Sequence, residues 1–232
     1  TRQTIDEALL ETIDSWRNKL AENIIYNIKR AEGEFPASSD LTNIVQTIID
    51  RILFIRFLED NGIEPQLILK KYLDPEYNSK QIYSEIVRDF ESLAPYYNGS
   101  IFGTNYKLPH PADKVVISNV TIKAILNDLY DDSPYDFSVI PIEIIGRIYE
   151  RFLGKVISVT EKGGYSIDLK EDIRKADGIF YTPKFIVDFI VEETVGRLIA
   201  GKKPSEIAKI RVLDPACGSG SFLLGAFERI VR

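Results

Sequence analysis

The sequence predicts a mainly α-helical protein, with a helical N-terminal domain followed by the beginning of an α/β domain. Three observations predict this. Apolar residues recur at helical spacing through most of the first 153 residues. A short apolar strand, predicted at 210–214, is followed by a glycine-containing turn and by a helix from Ser221. The composition, 44% hydrophobic and 28% charged over 232 residues, is that of a globular chain with one large or two small cores.

The first predicted helix covers residues 4–30. Its apolar positions fall on one face: Ile5, Leu9, Ile13, Trp16, Leu20, Ile24 and Ile28. Gly33 and Pro36 interrupt the chain after it. Asp40 is expected to cap a second helix, which ends at Asn61-Gly62. The apolar stripe of this helix is Leu41, Ile44, Val45, Ile48, Ile49, Ile52 and Ile55.

Further helices are predicted near 64–73 and 78–94, followed by a loop over 96–113 that is rich in Gly, Pro and Asn. Asn119 is expected to cap a helix that continues through Leu129.

After one more predicted helix, at 141–153, the sequence pattern changes from helical to β-prone. Residues 155–170 contain two β-prone runs around Gly163-Gly164, a pattern typical of a β-hairpin. A helix is predicted from Pro183 to about Ile199, because proline is favoured in the first turn.

One strand cannot bury itself, so the strand at 210–214 implies a sheet that continues beyond Arg232. We therefore expect three segments. A helical domain covers 1–154, a connecting hairpin or loop covers 155–177, and the beginning of an α/β domain, truncated after its first strand and helix, covers 178–232.

Composition also excludes several classes of protein. No apolar run is long enough to span a membrane, and the N-terminus is not a signal peptide. Cys217 and His110 are the only cysteine and histidine, so we expect no disulfide, no metal site and a cytoplasmic location. The net charge is −6 overall and +2 over 141–232, so this chain supplies little of the charge that DNA phosphates attract.

The chemistry is concentrated in residues 212–224, VLDPACGSGSFLL. Here a predicted strand ends at Asp214, a turn contains Gly218 and Gly220, and a helix follows. The glycines let the backbone approach a ligand, and the helix N-terminus attracts a carboxylate or a phosphate. The third glycine of the dinucleotide fingerprint and the Gly-Lys-Ser/Thr of a P-loop are both absent.

The string DPACGSGSF resembles the S-adenosylmethionine-binding motif of amino-methyltransferases that act on DNA adenine. Residues 178–191, GIFYTPKFIVDFIV, resemble the Tyr-Thr-Pro motif that precedes it in the same enzymes. Residues 140–157 and 41–63 resemble two helices of the family, the second one found in fused enzymes. Nearly the whole chain thus resembles the N-terminal part of an adenine-specific methyltransferase of restriction–modification systems, either the fused type, which 41–63 favours, or a modification subunit.

The resemblance implies a Rossmann-like methyltransferase domain with S-adenosylmethionine between the two motifs. By match, Asp214 orients the amino group of the methionine part. The residues matched to cofactor binding are Tyr181, Thr182, Pro183, Asp214, Ala216, Gly218, Gly220 and Phe222. The reaction implied is methyl transfer to the exocyclic amine of adenine in double-stranded DNA, with nuclease or specificity domains or subunits as partners.

The family's catalytic motif, Asn/Asp-Pro-Pro-aromatic, is not in this sequence. The nearest string, Asp132-Ser133-Pro134-Tyr135, has one proline too few and precedes the glycine-rich motif, so we interpret it as a turn. No catalytic residue is therefore assigned, and the chain is expected to be an inactive fragment. The alternative is a helical connector, an interaction module or a pseudo-methyltransferase of a restriction–modification complex, without activity of its own.

Overall fold

The computed structural model describes residues 5–65, 67–97, 101–102, 110–131, 135–140, 154–160, 162–169, 182–218 and 220–231. These residues are mainly helical, with one two-stranded sheet among them, as the sequence predicts. They form two compact units: the first contains the described residues up to Ile140 together with 154–169, and the second contains those from Thr182 onward. The helix predicted at 141–153 lies outside the described residues.

The first unit is built around helix α2. Its helices are α1 (Ile5–Glu32), α2 (Ser38–Asp60), α3 (Ile82–Leu93), α4 (Pro111–Lys114) and α5 (Asn119–Tyr130), with two 3-10 turns at Lys70–Leu73 and Pro75–Tyr77. Helix α2 contacts α1 and α4. Its buried apolar residues occur at every turn: Leu41, Ile44, Val45, Ile48, Ile49, Ile52, Ile55 and Leu58.

Helix α1 packs with the face that the sequence predicts. Its residues Leu9, Ile13, Trp16, Leu20 and Ile24 are buried. The indole N–H of Trp16 donates a hydrogen bond of 3.0 Å to the carboxylate of Asp128 on α5, and this bond ties the two helices together.

Two predicted helix beginnings are wrong by a few residues. Helix α2 begins at Ser38, so Asp40 lies inside its first turn and does not cap it. Helix α5 is capped by Ser118, whose hydroxyl accepts the N–H of Thr121 at 3.3 Å. The side chain of Asn119 serves instead to accept the N–H of Ile82 at the start of α3, at 3.0 Å.

The helix predicted near 64–73 is also wrong. Among the described residues of this span, only those at Lys70–Leu73 are helical, as a 3-10 turn. The carboxylate of Glu59 accepts the N–H of Ile68 and holds the segment against the end of α2. The next predicted helix, 78–94, is confirmed with a later start at Ile82, and the predicted loop 96–113 contains the first residues of α4.

The predicted hairpin is confirmed. Strands β1 (Lys155–Val159) and β2 (Tyr165–Leu169) pair antiparallel, with Ile157 opposite Ile167. The N–H of Ile157 donates to the hydroxyl of Thr42 on α2 at 2.9 Å, and the N–H of Val159 donates to that of Ser38 at 2.9 Å. The hairpin therefore packs on the helical unit.

All the regular secondary structure in the described residues of the second unit is helical. Its elements are α6 (Lys184–Val191), a π-helical turn (Glu192–Gly196), α7 (Arg197–Ile199), α8 (Pro204–Ile207) and α9 (Ser221–Val231). The first three form one continuous run, which confirms the predicted helix, although Pro183 is its N-cap residue. Helix α8 was not predicted from the sequence.

The strand predicted at 210–214 is wrong. Residues 211–214 have no regular secondary structure, and Leu213 is 85% exposed. A strand requires a neighbour with which to exchange hydrogen bonds, and the described residues provide none for this segment. Among the described residues, no helix has both the length and the apolar character required to cross a bilayer.

Candidate functional site

Helices α6 and α9 pack side by side and run in the same direction. A Cβ placed on Gly225 of α9 would lie 3.3 Å from a methyl group of Val187 and 3.3 Å from one of Val191, both on α6. One turn further along, Arg229 pairs with Glu192, with 2.6 Å between Nε and Oε2. Because the contacts follow the same order along both helices, the two N-termini lie at the same end of the pair.

An apolar cluster joins the two helices. Its buried members are Val187, Val191, Val195, Ile199 and Ala226. Four partly buried residues pack against it: Ile207, Ile210, Phe222 and Ile230. Phe222, matched by sequence to the cofactor motif, thus lies in the first turn of α9 with its ring toward this cluster. Because Phe222 closely follows the glycine-rich turn in the chain, the packing of its ring links the conformation of that turn to the packing of the two helices.

The segment before α9 turns sharply at Asp214. The Oδ1 atom of its half-buried carboxylate accepts the backbone N–H of Ala216 at 3.1 Å. Gly218 then adopts a φ of 53°, in the left-handed region that favours glycine. Asp214 is therefore held in place by the chain that follows it.

Gly220 ends this turn and directly precedes α9. Its φ is 79°, its N–H donates to the carbonyl of Cys217 at 2.8 Å, and its own carbonyl accepts the N–H of Leu224 at 2.9 Å. A Cβ placed on Gly220 would meet no heavy atom within 4 Å, so the backbone here borders open space.

The other matched turn lies at the beginning of α6. The carbonyl of Pro183 accepts the N–H of Ile186 at 2.9 Å and that of Val187 at 3.2 Å. Thr182 is half-buried and Pro183 is exposed, whereas Tyr181 lies outside the described residues. Since α6 and α9 begin at the same end of the pair, the turn at Thr182-Pro183 and the turn at 214–220 are brought to that end.

These groups match the charges of the methionine part of S-adenosylmethionine. A carboxylate such as that of Asp214 attracts the ammonium and sulfonium groups, while the N-terminus of α9 attracts the carboxylate. The open space beside Gly220 leaves room for close approach. The residues present are therefore compatible with this cofactor.

Electrostatics reinforces the alignment of the helices. The hydrogen bond from the Arg229 guanidinium holds the pKa of Glu192 below its usual value, and the same bond raises the pKa of Arg229. Sequence reasoning missed both this pair and Gly225. The available signal was Gly225-Ala226, two small residues inside an otherwise bulky apolar helix, which mark a close approach of another element.

Comparison with known proteins gives consistent matches. Residues 141–232 match the family model described as N-6 DNA methylase. The chain is 32% identical, over 99% of its length, to the type II restriction enzyme and methyltransferase RM.Eco57I of Escherichia coli. It is 30% identical over 48% of its length to the type I restriction enzyme MjaIX methylase subunit of Methanocaldococcus jannaschii, and 38% identical over 28% to the adenine-specific methyltransferase PglX of Streptomyces coelicolor.

The chain spans 22%, 19% and 5%, respectively, of the lengths of these three relatives. No solved structure matches it.

Proposed function

We propose that this chain is part of a DNA adenine methyltransferase of a restriction–modification system, because residues 141–232 match the family model described as N-6 DNA methylase. One observation carries the proposal: the two turns that resemble the family's cofactor motifs lie at the same end of the parallel helices α6 and α9. The substrate is double-stranded DNA, and the methyl donor is S-adenosylmethionine. Nuclease or specificity domains are its expected partners.

When bound, S-adenosylmethionine supplies the methyl group. Asp214 accepts a hydrogen bond from the cofactor's amino group, and the N-terminus of α9 binds its carboxylate. The backbone at Ala216, Gly218 and Gly220 lies against the amino-acid moiety. Thr182 and Pro183 line the opposite side of the site, and Phe222 packs behind the turn. Tyr181, which the sequence match assigns to the same side, lies outside the described residues.

We assign these residues to cofactor binding only. Adenine methylation also requires the target base to leave the stack and its amine to be positioned. The Asn/Asp-Pro-Pro-aromatic motif that does this in the family is not in the sequence, and its nearest likeness includes residues 132–134, which lie outside the described residues. We therefore expect no methyl transfer by this chain alone.

Titration calorimetry of the chain with S-adenosylmethionine tests the proposal. We expect saturable binding that Asp214→Asn weakens about tenfold, because a charge-assisted hydrogen bond is lost. Asp188→Asn is the matched control, because Asp188 is an exposed carboxylate of the same unit that pairs with Lys184 on its own helix. Equal affinities of the two variants, or no binding at millimolar cofactor, would contradict the proposal.

A second candidate function concerns the first unit. Similarity to the E. coli relative covers 99% of the chain, although the methylase family model begins only at residue 141. The helical unit is thus shared with a restriction enzyme and methyltransferase outside the methylase segment, which favours a connector between domains. A chain that binds nuclease or specificity domains in sedimentation experiments, but does not bind S-adenosylmethionine, would select this alternative.

A further inference from the structure

The cations of the second unit fall into two groups. Three form ion pairs within the unit: Lys184 with Asp188, Arg197 with Glu193, and Arg229 with Glu192. The others lie close together in sequence: Lys202, Lys203, Lys209 and Arg211. All four are exposed, and none forms an ion pair with any other described residue. We call residues 202–211 the basic segment.

The basic segment is fixed to the unit by its apolar residues. It follows a turn at Gly201, with a φ of 72°, and the N–H of Lys202 donates to the carbonyl of Ile199 at 3.0 Å. Ile207 and Ile210 are partly buried against the apolar cluster of α6 and α9. The cations of the segment are therefore exposed to solvent, while its apolar residues hold it against the folded unit.

Its one acidic residue is already engaged. The carboxylate of Glu206 accepts the backbone N–H of Lys203 at 2.9 Å and so satisfies the first turn of α8. The segment thus keeps an excess of positive charge in a chain whose net charge is −6. Positive charge that no described acidic side chain pairs with attracts a polyanion.

We propose that the basic segment binds the phosphate backbone of double-stranded DNA, an inference that rests on the proposed function for the choice of DNA. Such contacts position a protein on DNA and are independent of base sequence. The segment contains no aromatic residue on which unpaired bases would stack, which disfavours single-stranded RNA. Ile207 and Ile210 pack inward, which disfavours insertion into a membrane surface.

The test is the salt dependence of DNA binding by the chain, measured by the fluorescence anisotropy of a short labelled duplex. The logarithm of the binding constant falls linearly with the logarithm of salt concentration, by about 0.9 for each phosphate contact. We expect Lys202→Gln/Lys203→Gln, and separately Lys209→Gln/Arg211→Gln, to reduce this slope by about two and to weaken binding at low salt.

The double variant Lys184→Gln/Arg197→Gln is the matched control. It removes the same charge from the same unit, and its two side chains are 53% and 72% exposed. Because both are already in ion pairs, we expect the slope to stay within about 0.5 of that of the unsubstituted chain. An equal loss of slope in the control would overturn the proposal, since overall charge alone would then explain binding.

The absence of any DNA binding at low salt would also overturn it, as would tighter binding to single-stranded RNA or to vesicles of anionic phospholipid. The proposal is separable from cofactor binding. Lys202→Gln/Lys203→Gln is expected to leave the affinity for S-adenosylmethionine unchanged. If the unsubstituted chain did not bind S-adenosylmethionine but its DNA binding still depended on the basic segment, the cofactor site would be refuted and the DNA contact supported.

Discussion

Arg229 of α9 donates two hydrogen bonds to the carboxylate of Glu192 in the π-helical turn, at 2.6 Å from Nε and 3.2 Å from Nη2. Both side chains are solvent-accessible, so the pair contributes more to alignment than to stability. It holds α9 at one position along α6, and the seam beside it is formed by Gly225. The relative position of the two N-terminal turns depends on both contacts.

We therefore predict that Gly225 is the position where a larger side chain most destabilises the second unit. Gly225→Leu should destabilise the second unit by about 1–3 kcal/mol, because the larger side chain forces α6 and α9 apart. Gly225→Ala is the control. Its Cβ contacts at 3.3 Å require small shifts of Val187 and Val191, and the gain in helix propensity of about 1 kcal/mol offsets them. Amide hydrogen exchange in α6 and α9 measures both changes, and full protection in Gly225→Leu would refute the prediction.

Gly220 and Gly33 form a matched pair. Each has a φ of 79°, and at each a Cβ would meet no heavy atom within 4 Å. Alanine at either position should therefore lower the free energy of unfolding by about 1 kcal/mol, because its backbone is strained in the left-handed region. Only Gly220→Ala is expected to reduce the affinity for S-adenosylmethionine, which calorimetry measures. Unchanged affinity in Gly220→Ala would show that the cofactor does not approach this side of the turn.

Asp50 makes the stability of the first unit depend on pH. Burial raises its pKa to about 7, against the opposing effects of a hydrogen bond from Gln46 and the charge of Arg17. Because the folded pKa exceeds the unfolded one, this group stabilises the fold at low pH, and the contribution is lost as pH rises through 7. Between about pH 6 and pH 8 the free energy of unfolding should fall by about 1.4 kcal/mol through this group.

Urea unfolding followed by the fluorescence of Trp16, the only tryptophan, measures this dependence in the first unit. Asp50→Asn should flatten it, because the neutral side chain no longer titrates. Asp40→Asn, an exposed substitution on the same helix, should leave it intact. Identical pH profiles for the two variants would rule out Asp50 as the source.

Arg51 and Asp113 form a buried ion pair between α2 and α4. The Arg51 side chain is fully buried, its Nε donates to the carbonyl of Ile101, and its guanidinium lies 5.2 Å from the ring of Phe90. Asp113→Ala should cost about 3–5 kcal/mol, because it leaves a buried cation without its partner.

The double variant Arg51→Met/Asp113→Ala should recover part of this loss, since no buried charge remains. Urea unfolding read from Trp16 fluorescence provides the double-mutant cycle. Strictly additive losses would mean that the two side chains do not stabilise each other.

Much of the helical fold could be predicted because apolar periodicity reflects burial directly. The apolar stripe of α2 predicted its buried face, and the Gly163-Gly164 turn predicted the hairpin. Helix caps were harder, because Ser118 and Asn119 are equally suitable by type. Only tertiary contacts decide between them: Asn119 is engaged by Ile82 of α3, which leaves Ser118 to cap α5.

One part of the candidate site could likewise be predicted from local sequence, and another part could not. Residue types at 214–220 predicted a tight, ligand-accessible turn, and the geometry at Asp214 and Gly220 has that character. The strand expected at 210–214 did not form, because strand structure depends on a partner that local sequence does not specify. Arg51 was not predicted as a core residue, because a charge within an apolar stripe gives no indication of its distant partner Asp113.

The exposed thiol of Cys217 gives the glycine-rich turn a chemical handle of its own. As the chain's only cysteine, it directs a maleimide dye to one atom, in the residue that follows Ala216 of the Asp214–Ala216 turn contact and three residues before Gly220. Attachment needs no engineered residue and no removal of others. The rate at which the dye reacts thus measures accessibility at this turn alone, and its emission afterwards reports on the surroundings of that turn in solution.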